Sequence, residues 1–306
     1  MRIFVIGGSG FLGGFLVPRL IATGHQVSVL TRSVQKQHAL KEQGADSIIG
    51  DILQPDSFRP FVRSPELIVF IAMPPVKPGR TSKRQFRKLR DITTGFFQHA
   101  IDLARHFDCP ILLTAGSNYH SSEDKIFTEQ DPIQRFGMAK IGEYTDPLIA
   151  PLLNSNSPSG ILMMPGQIYG PGGLFQTMYR WIKSGKYRII GRGDNYMPRI
   201  YVEDLAEAYV QAIERMPLGE RFLIADDTPC TVNDFAQFIA RELDLPPVRH
   251  VARGFVRLAA GKLPYETITM NSKVSNQKAK RTLGWKPQYG FREGIRKTNR
   301  ILEKKA

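Results

Sequence analysis

Over the first 165 positions, short fully apolar runs alternate with longer stretches whose apolar residues recur at helical spacing. Residues 2–6 (RIFVI) are a run of the kind that makes a strand buried on both faces. The chain then passes through a cluster of glycines into a helical pattern carried by Phe11, Leu12, Phe15, Leu16 and Leu20, and returns in a second strand at 26–30. The alternation continues as a helix at 34–43, a strand at 46–49, an apolar strand at 66–72, a helix at 83–107 and a strand at 110–114. Residues 133–153 read as largely helical, interrupted near Pro147 and Pro151, and 160–164 as a sixth strand. This spacing predicts an α/β fold, a doubly wound parallel sheet with right-handed crossovers. Ligands of such sheets sit beyond the carboxyl ends of the strands. The stretches that matter are then 7–13, 32, 51, 72–75, 114–120 and 165–172.

Beyond residue 165 the pattern changes. Glycine and proline cluster in PGQIYGPGG, and shorter elements follow: helices at 174–184, 202–215, 232–243 and 291–303, with short strands near 187–190 and 221–225. The division expected is a nucleotide-holding region at 1–165 and a smaller substrate or lid region at 166–306.

The glycines after the first strand give the nucleotide its reason. Gly7, Gly10 and Gly13 follow a GxxGxxG spacing between a strand and a helix, with a second strand behind. That context suits a tight turn, close backbone approach to a pyrophosphate, and close helix-to-strand packing, with phosphates at a helix N-terminus. The end of the second strand selects the dinucleotide. An acid there holds the ribose hydroxyls of NAD, whereas an arginine meets the 2′-phosphate of NADP. The chain has Thr31-Arg32-Ser33, with no acid and a planar guanidinium, so NADP(H) is the cofactor expected.

A length of 306 residues is enough for one large or two modest domains. No apolar run reaches the roughly 18–20 residues that cross a bilayer, and the first run is already used as a strand rather than a leader. Cys109 and Cys230 lie far apart and make no metal-ligand spacing, which fits buried thiols in a reducing, cytoplasmic setting. The net charge of +14 draws anions, so an anionic small molecule is the first partner expected, a protein or membrane surface the second, and nucleic acid the last. The densest basic run, 77–90, carries seven basic residues and no acid; only Phe86 interrupts it, which argues against a nucleic-acid module.

The order of motifs resembles the extended short-chain dehydrogenase/reductase family, of the NAD(P)-dependent epimerase/dehydratase type. The resemblance rests on GGSGFLGG at 7–14, Gly50-Asp51-Ile52, PGQIYGPG at 165–172, RIYVEDLA at 199–206 and AKRTLGWKP at 279–287. It implies a Rossmann sheet and a cofactor contacted by Gly7, Ser9, Gly10, Phe11, Leu12, Gly13, Thr31, Arg32, Asp51, Ile52, Ala72, Met73, Lys140, Pro165 and Ile168. It also implies nucleotide sugars as the largest substrate class, with steroid, terpenoid and polyketide-like carbonyls open, and a homodimer through the helices at 83–107 and 132–153.

The family's chemistry uses a Ser or Thr together with Tyr and Lys in YxxxK, a spacing that puts phenol and ammonium on one helix face. Here that stretch is Phe136-Gly137-Met138-Ala139-Lys140, and Ala115 falls where the substrate-binding serine would be, near Thr114 and Ser117. A benzene ring has no proton to give. Three readings stay open: hydride transfer with another proton source, NADP(H) binding without turnover in a regulator or assembly factor, and isomerisation or elimination. The replacement candidates are Tyr119, then His120, a water held by Lys140, or Thr114; Lys140 is expected on the nicotinamide ribose. Arg199, Ser117 and Phe136 are the substrate contacts expected, with Arg192 beside them. Glu203 and Asp204 read as helix-start acids, and Trp181, Tyr187 and Trp285 as packing residues.

Overall fold

The computed structural model describes residues 1–74, 81–116, 119–121, 124–133, 135–154 and 158–304. Its strands are β1 (Arg2–Ile6), β2 (Gln26–Thr31), β3 (Asp46–Ile49), β4 (Leu67–Phe70), β5 (Ile111–Thr114), β6 (Ile126–Phe127), β7 (Gly160–Pro165), β8 (Gln167–Tyr169), β9 (Ile189–Ile190), β10 (Arg199–Tyr201), β11 (Arg221–Ile224), β12 (His250–Val251) and β13 (Lys273–Val274). Its helices are α1 (Gly13–Ala22), α2 (Val34–Glu42), α3 (Lys83–His106), α4 (Gly142–Ile149), α5 (Gly173–Lys183), α6 (Val202–Arg215), α7 (Val232–Glu242), α8 (Arg253–Ala260), α9 (Lys262–Ile268), α10 (Gln277–Leu283) and α11 (Phe291–Glu303).

Seven strands form one sheet in the order β11-β7-β5-β4-β1-β2-β3. Every pairing in it is parallel. Side-chain alternation sorts β1 between two cores, as period-2 geometry requires. Ile3 and Val5 join the residues of α1 and α6 on one face; Phe4 and Ile6 join Phe96, Phe97 and Ala100 of α3 on the other. A third cluster, built on Tyr169, Phe175, Phe235, Phe238 and Phe291, holds the C-terminal helices together.

Two expectations change. The strand expected at 221–225 in the smaller region pairs instead with β7 and ends the main sheet. Its residues Phe222, Leu223 and Ile224 are fully buried, the apolar signature of a strand covered on both faces. The long helix expected at 133–153 is a 3₁₀ turn (Gly137–Ile141), then α4, then a second 3₁₀ turn (Ala150–Leu153). Gly137 sits at φ +58°, and a Cβ there would lie 2.4 Å from Thr267 Oγ1 and 2.6 Å from Thr267 N. Close docking of α9 therefore sets the turn's path, and Phe136 precedes it in extended conformation. Trp285 is buried as expected, while Trp181 is 40% exposed.

Candidate functional site

The glycines of the 7–13 turn divide into two kinds. A Cβ on Gly13 would stand 2.0 Å from Gly8 O, and one on Gly7 2.6 Å from Ala72 N. Both are glycine because the turn packs on itself and on the end of β4. Gly10 is exposed, and its Cβ would meet only Gly7 O, at 3.1 Å. Leu12, which precedes α1, is helical in conformation, and no side chain caps the helix. The N–H groups of Phe11, Leu12 and Gly13 find no backbone acceptor among the described residues. Orphan donors at a helix start are suited to phosphate oxygens. The exposed backbone at Gly10 and the donors that follow it could hold a pyrophosphate.

Beside this turn, Arg32 projects from the end of β2, two-thirds exposed, with Nη1 3.7 Å from Asp51 Oδ2. Asp51 is further held by the Leu53 N–H, which donates to Oδ1 at 3.0 Å. Lys36 of α2 reaches back to donate to Ser9 O at 2.9 Å. Ser33 caps α2 through the Lys36 N–H, which fixes where that lysine starts. Thr31 is buried, and its hydroxyl accepts the Ser33 N–H at 3.3 Å. Ile52 is buried in the core, and His99 donates Nδ1–H to its carbonyl at 2.7 Å. Arg32 and Lys36 are thus two cations beside the glycine turn and the end of β2 among the described residues. Sequence reading missed Lys36, whose only cue was its position one helical turn after Arg32.

Phe11 closes the crevice from the other side. Cβ atoms on Gly172 and Gly173 would each lie 2.6 Å from its ring. The glycines of the 165–173 loop thus accommodate Phe11 and bind that loop to the glycine turn. Ile168 is partly buried against the same core, and Pro165 ends β7 inside it. Met73, two-thirds exposed, follows Ala72 at the end of β4.

The catalytic candidates fare unequally. Thr114 Oγ1 donates to Phe70 O at 2.9 Å and accepts from the buried Tyr209 hydroxyl at 2.6 Å, so it ties β5 to β4 and α6. Tyr119 is fully buried, its ring stacked on Phe127 with centroids 4.9 Å apart. Burial pushes its phenol up, away from ready ionisation. That geometry makes Tyr119 a packing residue and overturns its expected place as leading acid. Lys140 lies in the 3₁₀ turn, half-buried, four residues after Phe136. The extended backbone of Phe136 means that ring and ammonium do not share an α-helical face. His120 stacks face to face on Phe136, with centroids 4.0 Å apart and planes 10° from parallel. Ser117 lies outside the described residues, as do positions 77–80 of the basic run.

Arg199 does not face the crevice. It is 4% exposed, donates through Nη1 to the carbonyls of Met197 and Cys230 at 3.1 Å each, and lies 4.0 Å over the Phe235 ring. Its Nη1 is committed to the third core, and its burial there speaks against the expected substrate contact. Arg192 is solvated and paired with Asp194 at 2.7 Å. Asp204 lies in the first turn of α6, as expected, and is buried there. Its two oxygens accept the N–H groups of Gln288 and Tyr289 at 3.0 Å each, and its carbonyl accepts Trp285 Nε1–H at 2.9 Å. The RIYVEDLA and LGWKP motifs thus meet in a structural staple. Burial, the largest influence on this carboxyl, pushes its pKa up. Among the described residues no cluster of His, Cys, Asp or Glu could hold a metal, and no helix is long and apolar enough to cross a membrane.

Comparison with known proteins agrees with this architecture. The human epimerase family protein SDR39U1, solved with NADPH, superimposes with a TM-score of 0.80 at 18% identity over 98% of this chain and 99% of that one. MoeE5 in complex with UDP-glucuronic acid and NAD gives a TM-score of 0.82 at 18% identity, covering 100% of both chains. Among sequence relatives, a UDP-glucose 4-epimerase of Mycolicibacterium smegmatis is 24% identical over 325 aligned positions spanning 100% of both chains. The human sterol-4-alpha-carboxylate 3-dehydrogenase, decarboxylating, is 26% identical over 79% of this chain and 66% of its own length. The profile of the NAD dependent epimerase/dehydratase family matches residues 3–225. With a Rossmann-type parallel sheet and a glycine turn shaped for a dinucleotide, the chain belongs to the NAD(P)-dependent epimerase/dehydratase family of extended short-chain oxidoreductases.

Proposed function

We propose that this protein binds NADP(H) along the 7–13 turn and acts as an oxidoreductase or epimerase on a hydroxyl or carbonyl group of an anionic small molecule. The carrying observation is a pair of cations after β2: Arg32 at its carboxyl end, and Lys36, whose ammonium donates to Ser9 O next to the exposed Gly10. Two cations at the adenosine-ribose end, with no acid on the last residues of β2, suit a 2′-phosphate better than free ribose hydroxyls. Asp51, Ala72, Met73, Pro165 and Ile168 would line the crevice around the adenine and nicotinamide, and Lys140 would reach the nicotinamide ribose. The bound cofactor supplies or accepts hydride. The protein's residues orient it, exclude water and stabilise the charge that develops on substrate oxygen.

The +14 charge supports an anionic substrate, since such a field raises the local concentration of anions whatever residue contacts them. A second reading, NADP(H) binding without redox turnover, is favoured by Phe136 and Ala115, which lack the hydroxyls that the family's chemistry uses. Calorimetric titration with the four nicotinamide dinucleotides, followed by NADPH oxidation against a panel of carbonyl compounds, tests both. Binding with turnover supports the first reading, binding alone the second, and no binding contradicts both.

A further inference from the structure

His120 stands six residues beyond the carboxyl end of β5, in the loop region where a parallel sheet presents its ligands. Its ring is fixed on two sides. One face lies on Phe136, as described, and Nδ1 accepts the backbone N–H of Asn271 at 3.2 Å. Asn271 is itself anchored: its Oδ1 accepts the Tyr196 N–H at 2.8 Å, its Nδ2 donates to Ser121 O at 3.1 Å, and its carbonyl accepts the Ser121 N–H at 3.0 Å. A backbone N–H can only donate, so Nδ1 must offer its lone pair. The ring is then neutral, with its proton on Nε2.

Resting on the proposed carbonyl chemistry, we infer that the neutral Nε2–H of His120 is the hydrogen-bond donor to the substrate oxygen, in place of the hydroxyls absent at Phe136 and Ala115. In reduction the substrate carbon accepts hydride from the reduced cofactor and the C=O π pair moves onto oxygen. His120 stabilises the resulting alkoxide without giving up its own proton. A proton from solvent water completes the alcohol; bound NADPH would supply the two electrons with its hydride and would thereby be oxidised. In the reverse direction the same donor holds the carbonyl as it forms.

Two features keep the ring neutral. Burial, its largest influence, lowers its pKa; Glu266 of α9, the charge acting on the ring, pulls the other way and does not prevail. Protonation would also set a second N–H against that of Asn271. A charged imidazolium acid is therefore not what this loop is built to hold.

The test uses the full-length protein with NADPH and a carbonyl substrate from the panel. His120→Phe keeps a ring against Phe136 and removes the donor; His120→Gln keeps an amide N–H. The expected result for His120→Phe is a kcat lower by about a hundredfold or more, the usual effect of losing one such donor. NADP(H) affinity and melting temperature should stay near wild type, and His120→Gln should recover part of the rate. Independently of activity, ¹⁵N NMR of the NADP-bound protein should show His120 as the neutral Nε2–H tautomer at pH 7. A charged ring, the Nδ1–H tautomer, or a His120→Phe kcat within about threefold of wild type overturns the inference. If His120→Phe fails to fold, the ¹⁵N NMR of the wild-type protein decides alone, and a charged ring or the Nδ1–H tautomer overturns the inference. NADP(H) binding with no turnover of any carbonyl overturns this assignment but leaves the cofactor reading standing, whereas absence of binding overturns the cofactor reading itself.

Discussion

A methyl group placed at Gly10 or at Gly13 separates the two tasks that glycine performs in the turn. At Gly10 the added carbon meets one atom, Gly7 O at 3.1 Å, and the backbone is not in the left-handed region. The contact asks that carbonyl to shift by a few tenths of an ångström. Set against the lower unfolded-state entropy of alanine, the stability change should stay within about 1 kcal/mol of zero. The methyl does project into the space assigned to the pyrophosphate, where overpacking by one carbon costs about 1–3 kcal/mol. That corresponds to NADP(H) binding weaker by roughly 5- to 150-fold. At Gly13 the carbon would be 2.0 Å from Gly8 O and 2.3 Å from Gly8 C, so the backbone itself must move. Gly13→Ala should therefore lose about 3 kcal/mol or more of folding stability. The assay is paired: urea unfolding for stability and isothermal calorimetry for NADP(H). Gly10→Ala with wild-type affinity would show that no phosphate passes over this turn. Gly13→Ala with wild-type stability would show that the packing argument is wrong.

Other perturbations follow from the same geometry. Arg32→Gln and Lys36→Met should each weaken NADP⁺ by about 5- to 30-fold while leaving NAD⁺ within about twofold, as expected for loss of one charge-assisted phosphate contact of roughly 1–2 kcal/mol. Asp204→Ala leaves the Gln288 and Tyr289 N–H groups without their acceptor. At about 1–3 kcal/mol per orphaned donor, urea unfolding should show a loss of roughly 2–6 kcal/mol. Asp226 is buried beyond the end of β11, and burial raises its carboxyl from the ordinary 3.8 to about 7. The folded state then holds a proton more tightly than the unfolded chain does. Unfolding free energy should fall as pH rises from about 4 to about 7, by at most about 4 kcal/mol from this group, and level off beyond. Asp226→Asn should remove that contribution to the slope in a pH series of urea titrations.

Much of this architecture was written into local pattern. The strands β1, β4, β5 and β7 are mostly apolar runs, and α6 and α11 begin and end where periodicity places them. Residues decided by distant partners were not legible. The FGMAK stretch has helical composition, yet α9, more than a hundred residues later, docks against Gly137 and turns it into a left-handed start. Arg199 follows the 191–195 loop, a place expected to face the cleft, but its Nη1 bonds the Cys230 carbonyl and its guanidinium lies over Phe235. Tyr119 lies among polar loop residues, and its burial depends on Phe127 meeting its ring. Lys36 looks like one more solvated helix lysine until α2 folds back over Ser9. Local spacing places the glycine turn between β1 and α1, while the close approach of Ala72 to Gly7 comes from a strand about sixty residues on.

The most direct test of the account is a calorimetric comparison of NADP⁺ and NAD⁺ on the same wild-type preparation. One NADP⁺ per chain, bound at least about tenfold more tightly than NAD⁺, is the result predicted from Arg32 and Lys36. Equal affinities would contradict the 2′-phosphate site, and no heat from either dinucleotide would contradict the cofactor crevice as a whole.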